Sequence, residues 1–172
     1  LTETLQYDET LSSNIKNALA HQQIKSETIN LSLSPHQIIF RSFIIPWMPA
    51  NEIKGVIDFE ASKYIPFELD QLKYSYHAQQ INEEGNRKYR ISFVAIKKQE
   101  LERYLNIFEG SEVAISLAEP SQSSLIRSLL NKKVINTEVT TAIVELFDNI
   151  GQITIVTQEN PEFFREFQIT EQ

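Results

Sequence analysis

Two periods of apolar and polar positions alternate along this chain. Between residues 11 and 24, Leu11, Ile15, Ala18 and Leu19 recur on helical spacing, which predicts an amphipathic surface helix. TINLSLS (28–34) sets Ile29, Leu31 and Leu33 against polar neighbours and predicts a half-buried strand. QIIFRSFII (37–45) predicts a second strand, and Pro35-His36 between the two predicts a hairpin. After Pro46 the period changes. Pro49 suits the first turn of a helix, where its missing N–H costs nothing. Ile53, Val56, Ile57, Ala61 and Tyr64 mark that helix's apolar side, and Pro66 ends it by disfavouring helical geometry at Ile65.

Period two returns at Leu72. Leu72, Tyr74, Tyr76 and Ala78 alternate with Lys73, Ser75, His77 and Gln79, which predicts a strand with one wet face. NEEGN turns the chain around Gly85, and the more apolar KYRISFVAI follows as a more buried strand. Leu101, Tyr104, Leu105 and Phe108 fall at i, i+3, i+4 and i+7 of a helix capped by Gly110. Full burial of those four would contribute on the order of 6–12 kcal/mol before entropy. EVAISLAE predicts a strand and 121–132 a helix. TAIVELF, GQITIVT and EFFREFQI predict a three-stranded meander. The order is α-β-β, then α-β-β-α-β, then α-β-β-β, a mixed α+β chain. Its expected divisions are 1–47, an inserted block 48–117, and 118–172.

Composition narrows the chemistry. The 172 residues carry a net charge of −7 and no cysteine. The acidic balance argues against a nucleic-acid partner, which needs a basic face. The missing cysteine excludes disulfides, thiolate metal sites and a cysteine nucleophile. The longest apolar run, IIFRSFIIPWMP, is too short to span a bilayer and contains Arg41 and two prolines. LTETLQYDET is too acidic and polar for a signal peptide. The chain begins at Leu1 rather than Met, and it is expected to be a fragment.

Only four glycines occur, too few and too scattered for a phosphate loop. Gly55 falls inside the second helix, where it costs about 1 kcal/mol relative to Ala; close packing of helix on sheet is the expected reason. His21, His36 and His77 have no metal-ligand spacing, and no metal site is expected. EPSQSSL reads as a helix start capped by Ser121 or Ser123 rather than a nucleophile turn. No catalytic set emerges. The better lead is the apolar group Phe43, Trp47, Met48, Ile53, Tyr64 and Phe67 around the two proline breaks. It fits a seam between subdomains, where grooves that receive a peptide also form.

The segment from Ile44 to Ala78 resembles the PilM proteins of type IV pilus assembly. Pro46, Met48-Pro49, Glu60-Ala61, Tyr64-Ile65-Pro66-Phe67, Leu69 and Tyr76 match the family pattern in order, and SLAEPSQSSLIRSLL is similar to a later family helix. The resemblance implies an actin-like (ribonuclease H-like) lobe related to the cell-division protein FtsA, with 48–117 as its inserted 1C-type subdomain. It also implies a place at the cytoplasmic face of the inner membrane, and a groove between subdomains 1A and 1C that grips the N-terminal tail of PilN. Carried over by segment, the partner-binding residues would be Trp47, Met48, Ile53, Ile57 and Phe67. Family members bind ATP. Here Glu145-Leu146-Phe147 stands where they read Asp-Ile-Gly, so no cofactor is expected of this chain, and ATP and Mg would enter only with a full-length parent. The expected function is a non-catalytic scaffold, with self-association held open. The alternatives are a piece of an actin-like ATPase and the cytoplasmic domain of a GspL-like secretion protein.

Overall fold

The computed structural model describes residues 11–23, 28–109, 113–146 and 149–170. Helix α1 (Leu11–His21) leads into β1 (Thr28–Leu33), a 3-10 turn (Pro35–Gln37) and β2 (Ile38–Pro46). Then come α2 (Ala50–Tyr64), β3 (Leu72–Glu83), β4 (Asn86–Lys97), α3 (Lys98–Asn106), β5 (Ala114–Pro120) and α4 (Ser121–Asn131). β6 (Thr141–Leu146), β7 (Ile150–Thr157) and β8 (Asn160–Gln168) complete the order. The strands form three sheets: A, the pair β1–β5; B, in the order β2–β4–β3; and C, the expected meander β6–β7–β8.

The expected β1–β2 hairpin does not form. β1 pairs in parallel with β5, and β2 pairs antiparallel with β4 from Ile38↔Ile96 to Pro46↔Lys88. A tight hairpin needs positive φ at its turn, and no described residue from 34 to 37 has one. The 3-10 turn instead carries the chain from sheet A into sheet B. Sheet B therefore runs across the expected division at residue 47, and β5, counted with the block, belongs with β1.

Side chains alternate along strands, so one face of sheet B collects Leu72, Ile45, Ile91, Phe93 and Ala95. α2 presses Ile53, Ile57, Ala61 and Ile65 onto it. Phe93, fully buried, stacks on Tyr74 at 5.1 Å between ring centres. Pro49 is the N-cap of α2 rather than its first helical residue. At the other end Ile65 is extended (φ −113°, ψ 122°), the geometry a following proline imposes. Tyr74 donates to Asp58 (2.6 Å) and Lys54 bridges both (2.6 and 3.0 Å), fastening α2 to β3. Gly55 is not at a close approach: it is exposed, and nothing lies where its Cβ would stand.

The opposite face of sheet B meets sheet C through polar contacts. Ser92 Oγ donates to the Pro161 carbonyl (3.0 Å), Gln79 Nε2 to Gln158 Oε1 (2.6 Å), and Arg90 pairs with Glu162. His36 Nδ1 lies 3.0 Å from Glu166. α4 joins through a buried hydrogen bond from Gln122 Nε2 to Gln152 Oε1 (3.2 Å). Its N-cap is Pro120, with no side-chain cap, so neither Ser121 nor Ser123 serves as expected. The stripe on α3 is only half-buried, with Leu105 open to solvent, so its burial falls short of expectation. Gly110 lies outside the described residues.

Candidate partner-binding groove

Between sheet A and the far face of sheet B lies an apolar groove of about 450 Å³. Leu33 at the end of β1, Ile38 at the start of β2, Tyr74 of β3, Ile96 of β4, Leu101 of α3 and Leu117 of β5 line it. α3 contributes Leu101 to one wall and is tied to the 3-10 turn. Tyr104 donates to Gln37 Oε1, and Gln37 Nε2 donates to Glu100 (3.4 Å), so helix and turn hold together.

Leu117 reaches the groove through a bulge. In the β1–β5 register Ile29 faces Ile115 while Asn30 faces Leu117, leaving Ser116 as an extra residue. Such an insertion bends a strand and re-aims the next side chain. Ser116 Oγ holds it in place, bonding Asn30 Oδ1 (2.7 Å) and the Ile29 carbonyl (3.2 Å). Leu117 is thereby 40% exposed, out of phase with Ile115.

One end of the groove is polar. Glu119 accepts from Arg127 Nη1 (2.7 Å) and from Ser124 Oγ (3.0 Å). The Arg127 hydrogen bonds hold its carboxyl below the usual carboxylate range, against the opposing pull of burial. Lys73 stands exposed on the rim. The site thus offers an apolar bed with a fixed carboxylate at one end and a cation at its edge, which suits a short extended peptide.

None of the five residues expected to bind a partner lines this groove. Ile53 and Ile57, 8% and 0% exposed, lie in the core between α2 and sheet B. Both were carried over by segment from the family resemblance, and both stand on the face of α2 that packs on sheet B. Trp47 is 44% exposed with Arg87 over its ring at 4.8 Å. Met48 packs half-buried against the core. Phe67 lines a separate open cleft beside Pro66, under Lys97 at 4.0 Å.

Glu145 is half-buried on β6 opposite Gln152. Burial alone pushes its carboxyl above the ordinary value. Nearby Gly151 has no free approach: a Cβ there would run into the Phe167 ring, which covers the backbone. Phe147 and Asp148 lie outside the described residues. Among the described residues, no three His, Asp or Glu side chains gather to hold a metal ion, and no helix is long and apolar enough to cross a membrane.

Comparison with known proteins agrees with this architecture. A solved PilM–PilN type IV pilus biogenesis complex matches with a TM-score of 0.76 at 15% identity, over 91% of this chain and 47% of that one. The cytoplasmic domain of EpsL, an inner-membrane component of the Vibrio cholerae type II secretion system, matches with a TM-score of 0.59 at 9% identity, over 91% of this chain and 56% of that one. At such identities the likeness is one of fold, and the chain spans about half the length of these structures. None of the curated proteins matches it in sequence. The family model for type IV pilus assembly protein PilM covers residues 2–170. With nearly every residue inside that model, the chain belongs to the PilM family of type IV pilus assembly proteins.

Proposed function

We propose that this chain is a tail-binding scaffold of the PilM type, working at the cytoplasmic face of the inner membrane. The groove between sheets A and B receives the N-terminal tail of a PilN-like inner-membrane protein. The observation that carries the reading is the Ser116 bulge, which spends a regular strand position to aim Leu117 into a bed of apolar side chains. The matched PilM–PilN complex supports the choice of partner. Sheet B with α2 and α3, about residues 38–109, then serves as the inserted subdomain, and the 3-10 turn at Pro35–Gln37 is its entrance.

The same reading leaves nucleotide out. A phosphate needs exposed backbone N–H groups. Gly151 is covered by the Phe167 ring, which leaves no open approach for a phosphate to the backbone there. The residues present do not fit ATP, and the scaffold acts without catalysis.

Titration calorimetry with a synthetic peptide copied from the N-terminus of the PilN-like protein tests the site. Leu117→Asp and Leu101→Asp should each weaken binding by about tenfold or more, because a charge cannot stay solvated in an apolar bed. Trp47→Ala and Phe67→Ala should leave affinity unchanged. The reverse result would move the site to the proline-flanked patch. Mg-ATP added to the same protein should give no binding heat.

A further inference from the structure

Sheet B ends in a long bare strand. β3 runs for 12 residues, is the outer strand of the sheet, and pairs with β4 without a register break. Along its outer side, alternate backbone N–H and C=O groups have no ladder partner among the described residues. The usual devices that blunt an edge are missing. β3 holds no proline and no bulge, and only Lys73 and Glu83 carry full charge along it. The other edge strand, β2, is different: it ends in Pro46, and Arg41 Nη1 already occupies the Phe40 carbonyl at 2.7 Å.

We propose that β3 is a self-pairing edge, on which a second copy of this chain lays its own β3 antiparallel to make one six-stranded sheet. The strand's own charges set the register. A two-fold axis pairs residues whose numbers have a constant sum. Outward hydrogen-bonding groups alternate along the strand, so odd residues must face odd ones. Centring the pair on Ala78 sets Lys73 against Glu83 of the second copy, and does so at both ends of the ladder. Shifting the centre by one residue either way moves both charges onto uncharged partners or past the strand end. The same register sets Tyr76 against Gln80 on the side of the sheet covered by α2. Glu83 is ionised at neutral pH, because the hydrogen bond from Lys88 (2.7 Å) holds its carboxyl below the usual range. The tail groove lies mainly on the face of sheet B but shares Lys73, Tyr74 and Ser75 with this strand, so the pairing is tested with no tail peptide present.

Sedimentation velocity of the 172-residue chain from about 1 to about 100 µM, at low salt, tests the edge. The wild-type chain should pass from monomer to dimer. Lys73→Glu and Glu83→Lys should each weaken the dimer about tenfold, since each sets like charges opposite at two places. The double variant should regain the wild-type midpoint, because the swapped charges face each other again. Circular dichroism of the exposed Lys73→Glu variant should match wild type. A chain that stays monomeric overturns the proposal. So does a dimer indifferent to both single changes, a double variant that fails to recover, or a dimer lost instead on substituting Val144, which stands exposed on β6 of sheet C.

Discussion

Sheets B and C have three antiparallel strands each, yet one is sealed and the other open. α2 covers sheet B and buries Phe93, Ile91 and Ala95 completely or nearly so. On sheet C, Val144, Leu146, Phe163 and Phe167 stay exposed on the face turned away from sheet B, and no described element covers them. Their turns differ in the same sense. The β3–β4 turn places Glu84 and Gly85 at φ 53° and 79°, with glycine where the left-handed geometry is steepest. The β7–β8 turn asks the same geometry of Gln158 and Glu159 (φ 50° and 70°), with no glycine and with a register shift beside it. Local sequence and packing agree throughout sheet B. In sheet C the backbone is held against its own preference by contacts such as Gln79 with Gln158. The lesson is that two sheets of equal size need not share stability.

Five substitutions test that contrast. Phe93→Ala should cost about 3–5 kcal/mol by leaving a cavity under α2, read as a lowered urea midpoint with little change in slope; a cost under about 1 kcal/mol would show sheet B to be loosely packed. Gly151→Ala should cost about 1–3 kcal/mol, because its Cβ displaces the Phe167 ring, and Phe167→Ala in the same chain should recover part of that loss. Glu159→Gly should raise stability by about 1 kcal/mol by relieving left-handed strain; an unchanged melting temperature would mean the turn is not strained. Val144→Thr should change stability by less than about 0.5 kcal/mol. It should also lower the fluorescence of a dye that binds exposed apolar surface.

Periodicity made most of the elements legible. The proline before Phe67 fixed the end of α2, and the alternation from Leu72 to Gln79 named the wet face of β3. Strand partnership was less legible. Nothing in TINLSLS reveals that its mate is some 87 residues away rather than across Pro35-His36. The groove was hidden for a related reason. Leu117 looks like an inward partner of Ile115 until Ser116 is seen to bulge, and a bulge depends on the neighbouring strand. Ile53 and Ile57 were recognisable as apolar, but their sequence does not say whether an apolar stripe faces a core or a partner.

The parallel pairing of β1 with β5 carries a kinetic consequence. Their bonded residues are separated by the whole of sheet B, so the loop to be closed is long while the β3–β4 hairpin closes over two residues. Contacts between distant residues form late, after the intervening chain has collapsed. A ribosome-fresh molecule would assemble the hairpin and α2 first and zip β1 to β5 near the end. The bed that holds Leu117 would then exist only in molecules that have finished folding.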